Sequence, residues 1–132
     1  LQILEQIRRY MLQTLLPSAR RVTIHVGGED VIVSADCASS VALVVNELVQ
    51  NALKYAFPSG QAGRIGIELH SGRPLCQLTV WDNGVGFQAD RPRPGGAGLE
   101  LASTIVREKL TGEWSVESGP GGTRISFDFL EQ

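Results

Sequence analysis

The sequence lacks a long hydrophobic segment. The longest purely apolar run of this 132-residue chain extends only from Val41 to Val45, whereas a membrane-spanning helix needs roughly 18 or more apolar residues. Residues 1–16 also lack a basic start followed by a small-residue cleavage site, so they do not have the pattern of a signal peptide. We therefore expect a soluble segment that does not itself insert into a membrane.

Cysteines and basic clusters are also scarce. Cys37 and Cys76 are too far apart in sequence for a local metal-binding knuckle, and a chain of this size needs no disulfide, so a reducing cytoplasm is the expected location. The chain has 12 Lys+Arg against 14 Asp+Glu, a formal net charge of −2, without a dense basic block. This composition argues against a nucleic-acid or anionic-membrane partner and is typical of one globular domain over residues 1–132.

Hydrophobic periodicity predicts three helices and three strand pairs. The helices are expected at residues 1–16, about 36–57 and about 99–110, with Ser34 or Asp36 as the N-cap of the second and Gly112 closing the third. The strand pairs are expected at residues 22–26 with 31–33, 65–69 with 76–80, and 114–117 with 124–129. Gly27 and Gly28 supply the predicted turn of the first pair. The hairpins have one apolar face, and the three helices are expected to cover it. This arrangement indicates an α+β fold, a two-layer α/β sandwich.

The second predicted helix carries a line of polar residues. Glu47, Asn51 and Lys54 stand at i, i+4 and i+7, so a carboxylate, an amide and an ammonium share one face. Alone, this pattern also fits a solvated stripe on a core helix. The apolar remainder of the helix is too wide for a typical surface helix, however, so the line is expected to be partly enclosed and to need polar partners.

A buried carboxylate is predicted at the end of a strand. Asp82 shares the parity of Cys76, Leu78 and Val80 and therefore points to the core side. A carboxylate there needs hydrogen-bond donors, which an amine on a ligand could supply. The glycines that follow, Gly84 and Gly86, allow close backbone approach or positive φ angles, although an ordinary Asp-Asn-Gly turn would look the same.

Two further glycine-rich places accompany that strand end. The run Gly95 to Gly98 directly precedes a helix, where bare N–H groups attract phosphate, although a flexible loop would look the same. Thr123 follows two glycines and points to the same side of the sheet as Asp82. A Walker A loop is excluded because the chain has no Gly-Lys-Ser/Thr, and no parallel βαβ unit surrounds the glycines as a Rossmann fingerprint requires.

In this order, the four motifs resemble those of the GHKL superfamily of ATP-binding domains, which includes gyrase, the Hsp90 chaperones, histidine kinases and MutL. Residues 47–54 resemble the N box, 82–86 the first glycine box and 96–99 the second. The resemblance covers about Val22 to Phe129. It implies the Bergerat fold, in which about three helices cover one face of a mixed, mostly antiparallel sheet.

Within the superfamily, residues 51–56 and 116–123 resemble the catalytic domain of a bacterial sensor histidine kinase. The resemblance implies transfer of the ATP γ-phosphate to a histidine on a separate helical domain, and a downstream response regulator as partner. His25 and His70 fall on outward strand positions without a helical context. The receiving histidine is therefore expected on a dimerisation segment before Leu1 of the same full-length protein.

The resemblance also implies roles for individual residues. Asn51 would coordinate a Mg²⁺ that bridges the phosphates, Lys54 would contact a phosphate, and Tyr55 would line the adenine side. Asp82 would accept a hydrogen bond from the adenine exocyclic amine, with Thr123 assisting through its hydroxyl or a water. Glu47 would act as a base or orient a water on Mg²⁺. The remaining expected ATP contacts are at Gly84, Gly86, Gly96, Gly98 and Leu99.

Some positions depart from the usual pattern. Glu47 stands where many histidine kinases have asparagine, and the segment 88–95 is short and has no phenylalanine-rich box, as in the short-lid subfamilies. Asn46 replaces the histidine of the subfamily named for its His, Trp and Glu, and Trp81 is not followed by that group's glutamate, which favours its sister group. Two alternatives stay open: an anti-sigma factor serine kinase of the same fold, and a nucleotide-dead adaptor.

Overall fold

A computed structural model describes residues 2–10, 22–57, 62–72, 74–85 and 97–130. The described elements follow in the order α1 (Ile3–Tyr10), β1 (Val22–Gly28), α2 (Ala35–Tyr55), β2 (Gly63–Ser71), β3 (Leu75–Asp82), α3 (Ala97–Glu108), β4 (Trp114–Gly119) and β5 (Gly122–Leu130). The strands form a sheet in the order β1-β2-β3-β5-β4. Among the described strands, only β1 and β2 pair in parallel, so the predicted α+β fold with a mixed, mostly antiparallel sheet is confirmed.

Strict alternation along the central strands separates a core face from an outer face. The apolar residues of one parity are at most 4% exposed, because successive side chains on a strand point to opposite faces. They are Ile65, Ile67, Leu69, Cys76, Leu78, Val80, Ile125, Phe127 and Phe129. The buried sides of α1, α2 and α3 join them in one hydrophobic cluster, so the helices lie against this face.

The long helix α2 begins where the sequence predicts. Ser34 is the N-cap, and its Oγ accepts a hydrogen bond from the N–H of Cys37 at 3.1 Å. The structure thus selects Ser34 over Asp36 as the residue that satisfies the first free N–H groups of the helix. At the other end, the N–H of Ala56 still donates to the carbonyl of Ala52 at 2.9 Å.

The predicted hairpin between residues 22–26 and 31–33 is wrong. Gly27 and Gly28 remain within β1, which pairs along its whole length with β2. Residues 31–33 make an isolated bridge, between Gln2 and Ile32. The carboxylates of the intervening residues bind backbone N–H groups elsewhere: Glu29 accepts from Ser71 at 3.2 Å and Asp30 from Leu4 at 3.0 Å. The segment after β1 instead contacts α1, where the N–H of Ile3 donates to the carbonyl of Val31 at 3.1 Å.

The two outer helices match their predictions where they are described. α1 confirms the middle of the leading helix predicted at residues 1–16, and residues 1 and 11–21 lie outside the described part. α3 ends before Thr111, which has a φ of 53°. Gly112 donates to the carbonyl of Val106 at 3.0 Å, and a Cβ on it would lie 1.9 Å from the carbonyl oxygen of Asp128. No described helix has the length and apolar character needed to cross a membrane.

Candidate functional site

A row of polar side chains crosses the core face at one end of the sheet. Asp82 at the end of β3 pairs with Thr123 of β5, and Thr123 pairs with Ser118 of β4. Asp82 is 8% exposed and Thr123 5%, although their parity matches that of the apolar core residues. The strand alternation therefore brings Asp82 and Thr123 together on the core side, as the sequence predicts.

Local backbone groups hold Asp82 in place. Its Oδ1 accepts a hydrogen bond from the N–H of Gly84 at 2.9 Å. The next residue along the strand edge, Asn83, exchanges two bonds with Arg64: its N–H donates to the Arg64 carbonyl at 3.2 Å, and its Oδ1 accepts from the Arg64 N–H at 2.7 Å. The bond from Gly84 offsets part of the cost of burying the Asp82 carboxylate.

The strand end is joined to the end of α2. The N–H of Val85 donates to the carbonyl of Ala56 at 2.9 Å, and a Cβ on Gly84 would lie 2.2 Å from the same oxygen. Gly84 is therefore needed for close approach to the helix end. Its contact with a ligand stays a prediction.

The three polar residues predicted to share one face of α2 differ in solvent exposure. Asn51 is only 5% exposed, Glu47 is half-buried and Lys54 is exposed. Asn51 lies five residues before Ala56, which is roughly 7.5 Å along the helix axis. Asn51 therefore lies about one and a half turns before the end of α2, which contacts the residues that follow Asp82. Neither Glu47 nor Lys54 forms an ion pair with another described residue.

The other predicted contact residues within the described part lie at the end of α2 and the start of α3. Tyr55 is half-buried in the last turn of α2, and Gly98 and Leu99 lie in the first turn of α3, which packs against α2. Leu99 is also half-buried and contacts the core. Gly86 and Gly96 lie outside the described residues, as does the short segment 88–95.

A cleft of about 460 Å³ opens at the end of the sheet that carries the polar row, and it also includes residues of the outer face such as Trp81 and Arg124. It is lined by Trp81, Asp82, Asn83, Glu117, Ser118, Gly119, Gly121, Gly122, Thr123 and Arg124. The cleft contains the β3 and β5 residues of the predicted site, whereas the α2 residues lie outside its lining. Among the described residues, no group of three or more His, Cys, Asp or Glu side chains could hold a metal by itself.

Two residues at this end of the sheet, Ser118 and Asn83, have no role in the predicted site. Ser118 belongs to the cleft and to the polar row, and Asn83 bonds the neighbouring strand. A hairpin that turns at Pro120 and Gly121 puts Ser118 opposite Thr123. Identifying Ser118 from the sequence therefore requires the register of the β4–β5 hairpin, which the sequence alone does not establish.

The chain matches the sequence profile of a known ATPase family over residues 37–132. The family is described as histidine kinase-, DNA gyrase B-, and HSP90-like ATPase. The chain belongs to this family. The GHKL resemblance is thereby confirmed, and the chain is an ATP-binding domain of this class.

Similar curated proteins are mostly sensor kinases. The chain is 31% identical over 112 residues to blue-light-activated histidine kinase 2 of Erythrobacter litoralis, which covers 81% of this chain and 32% of the relative. It is 36% identical over 116 residues to the swarming motility regulation sensor protein RssA of Serratia marcescens. This match covers 76% of this chain and 24% of the relative. The chain thus spans about a third or less of these relatives.

Solved structures support the fold. The histidine kinase domain of the Erythrobacter litoralis EL346 blue-light activated kinase aligns with a TM-score of 0.86 at 23% identity, covering 98% of this chain and 65% of that one. The mycobacterial sensor histidine kinase MprB aligns with a TM-score of 0.78 at 24% identity, and the alignment covers 100% of this chain and 96% of that one. The described sheet order and helices are therefore those of histidine kinase catalytic domains.

Proposed function

We propose that this chain is the ATP-binding catalytic domain of a sensor histidine kinase, which transfers the ATP γ-phosphate to a histidine on a separate helical domain. One observation carries the proposal. The buried carboxylate of Asp82 lies three residues before Val85, which bonds to the end of α2, and the same helix carries the buried amide of Asn51. Recognition of a nucleobase and of its phosphates requires such groups at one place.

The nucleobase is held by the end of the sheet. An ionised carboxylate only accepts hydrogen bonds, so Asp82 matches the exocyclic amine of adenine and opposes the carbonyl oxygen that guanine has at that position. Thr123, its partner in the strand register, supplies a hydroxyl directly or through a water. Tyr55, half-buried at the end of α2, covers the base with its ring.

The phosphates are held by α2 and the start of α3. The amide oxygen of Asn51 and the carboxylate of Glu47 are the hard oxygen donors that Mg²⁺ prefers, and one or two protein ligands suffice because phosphates complete the shell. The donor set therefore fits Mg²⁺, with Glu47 bound directly or through a water. When bound, the ion neutralises charge on the phosphates. Lys54 lies on the same helix face and adds a cation there, where charge develops on the transferred group.

The phosphate acceptor is a histidine outside this chain's own sheet. His25 and His70 are exposed on strand positions of the outer face, opposite to the polar row. The acceptor is expected on helices that precede Leu1 in the full-length protein, with a response regulator as the next partner. A cytoplasmic location follows for a reaction that uses ATP.

Phosphotransfer tests the proposal. The chain is incubated with Mg²⁺ and γ-labelled ATP together with the segment that precedes it in the full-length protein. We expect acid-labile label on that segment, lost with Asn51→Ala and retained with Gln50→Ala, a neighbouring half-buried residue of the same helix. ATP binding without label on the segment would contradict the kinase assignment.

A second candidate is a serine kinase of the same fold. The chain is 28% identical over 89 residues to the serine-protein kinase RsbW of Listeria innocua, which covers 55% of this chain and 57% of the relative. This match is shorter and less identical than those to sensor kinases. Acid-stable label on a partner protein, as phosphoserine gives, would favour it. Failure of the chain to bind ATP would favour the nucleotide-dead adaptor.

A further inference from the structure

Asn83 prolongs the pairing of β2 and β3 by one residue. The regular register of the two strands ends at the pair of Ile65 and Asp82. Beyond it, the N–H of Asn83 donates to the carbonyl of Arg64 at 3.2 Å, and the side-chain Oδ1 of Asn83 accepts from the Arg64 N–H at 2.7 Å. The Asn83 side chain therefore supplies the acceptor that a backbone carbonyl supplies in a regular antiparallel pair.

The chain leaves the strand directly after this extra pair. The N–H of Gly84 donates back to the Oδ1 of Asp82 at 2.9 Å, and the N–H of Val85 donates to the carbonyl of Ala56 at the end of α2 at 2.9 Å. Residues 83–85 are thus held by β2 on one side and by α2 on the other. Asp82 is tied to this segment through its bond from Gly84.

Asn83 lies at the rim of the cleft, whereas Asp82 is buried in it. Asn83 and Arg64 are exposed and Asp82 is 8% exposed, and Asn83 and Asp82 both line the cleft. The two oxygens of an ionised carboxylate have about four acceptor sites, so Asp82 can accept from a ligand in addition to Gly84 and its further contact. The direction in which the carboxylate faces that ligand depends on where Gly84 is held.

We propose that Asn83 is a positioning residue for nucleobase recognition, which orients the Asp82 carboxylate by bonding the end of β3 to Arg64 of β2. The inference rests on the proposed function, in which Asp82 accepts a hydrogen bond from the exocyclic amine of adenine. In Asn83→Ala, the Arg64 N–H loses its side-chain acceptor, and the segment that carries Gly84 is held less firmly on the β2 side. The carboxylate then faces the amine for a smaller fraction of the time. A nucleotide without the amine does not depend on that orientation.

The test compares ATP with purine riboside triphosphate, in which a hydrogen atom replaces the exocyclic amine of the base. Dissociation constants of both nucleotides are measured with the original chain and with Asn83→Ala, at a temperature at which circular dichroism shows both proteins to be folded. We expect Asn83→Ala to weaken ATP binding about two- to tenfold, the range of one neutral hydrogen bond, and to leave binding of the purine nucleotide nearly unchanged. The ratio of the two constants isolates the coupling between Asn83 and the amine.

Two further variants separate positioning from structure. Asn83→Asp keeps an oxygen for the Arg64 N–H but lacks the amide NH2 group, and it is expected to restore the original ratio. Its added charge acts alike on the two nucleotides, because both carry the same triphosphate. Glu29→Ala is the matched control, because the Oε1 of Glu29 accepts from the backbone N–H of Ser71 at 3.2 Å, at the opposite end of β2. It is expected to leave the ratio unchanged.

The contrary outcomes are distinct. An unchanged ratio or a larger preference for ATP in Asn83→Ala would overturn the positioning role. So would an equal change of the ratio in Glu29→Ala, which would indicate a general loosening of β2. Failure of Asn83→Asp to restore the ratio would overturn it as well, because the NH2 group and not the bond to Arg64 would then be required. Failure of the original chain to bind ATP would instead refute the proposed function itself.

Discussion

At the residue scale, the negative charge of Asp82 is expected to contribute directly to ATP affinity. Asp82→Asn keeps the size of the side chain, but an amide has one oxygen, and with that oxygen on the Gly84 N–H its NH2 group faces the adenine amine, donor against donor. Loss of a hydrogen bond to a charged group costs about 1.5–3 kcal/mol, so we expect ATP to bind about 10- to 150-fold more weakly. Isothermal titration calorimetry measures the change.

The control for this substitution lies on the same strand. Gln77→Ala changes an exposed residue on the outer face of β3 and is expected to leave ATP affinity unaltered. Equal affinity of Asp82→Asn and the original chain would refute the role of the carboxylate.

Replacement of Gly84 is expected to lower the free energy of unfolding of the ligand-free chain. In Gly84→Ala the new Cβ would lie 2.2 Å from the carbonyl oxygen of Ala56, so the strand end and α2 must move apart. Overpacking of this kind costs about 1–3 kcal/mol, which urea denaturation measures as a lower midpoint. Gly27→Ala, where nothing lies within 4 Å of the new Cβ, should stay near the original midpoint. Similar midpoints for both variants would disprove the close contact.

At the element scale, the stability of α2 depends on its N-cap. Ser34→Ala removes the oxygen that accepts from the Cys37 N–H, and loss of such a cap costs about 1 kcal/mol. The urea midpoint should fall accordingly. Ser39→Ala, an exposed position inside the same helix, should be neutral or slightly stabilising because alanine is the better helix former. A larger loss at Ser39 than at Ser34 would contradict this account.

The elements also show what sequence periodicity can predict. The alternation that put Asp82 and Thr123 on the core side proved correct, because the two-residue period of a strand holds whichever strand lies beside it. The pairing of β1 was missed for the opposite reason. Its partner β2 lies about forty residues away, with His25 beside Gly66, and local turn glycines carry no information about distant partners. The register between Ser118 and Thr123 likewise had to be observed.

At the scale of the whole molecule, the candidate site arises from a long-range junction. The motifs in the sequence identify Asn51 and Asp82 as candidate site residues. It could not predict that Gly84 and Val85 contact Ala56 at the end of α2. This contact joins the helix that carries the predicted phosphate-side residues to the strand that carries the carboxylate predicted to bind the base. The predicted roles of Gly86 and Gly96 concern residues outside the described part and stay predictions.

The most direct test of the account is a titration of the chain with ATP in the presence and absence of Mg²⁺. We expect saturable binding that strengthens with Mg²⁺. Asn51→Ala should abolish the gain from Mg²⁺ while weak binding of the base persists, and Asp82→Ala should weaken binding in both conditions. Absence of binding, or binding that neither substitution alters, would contradict the central claim that ATP occupies the junction of α2 and β3.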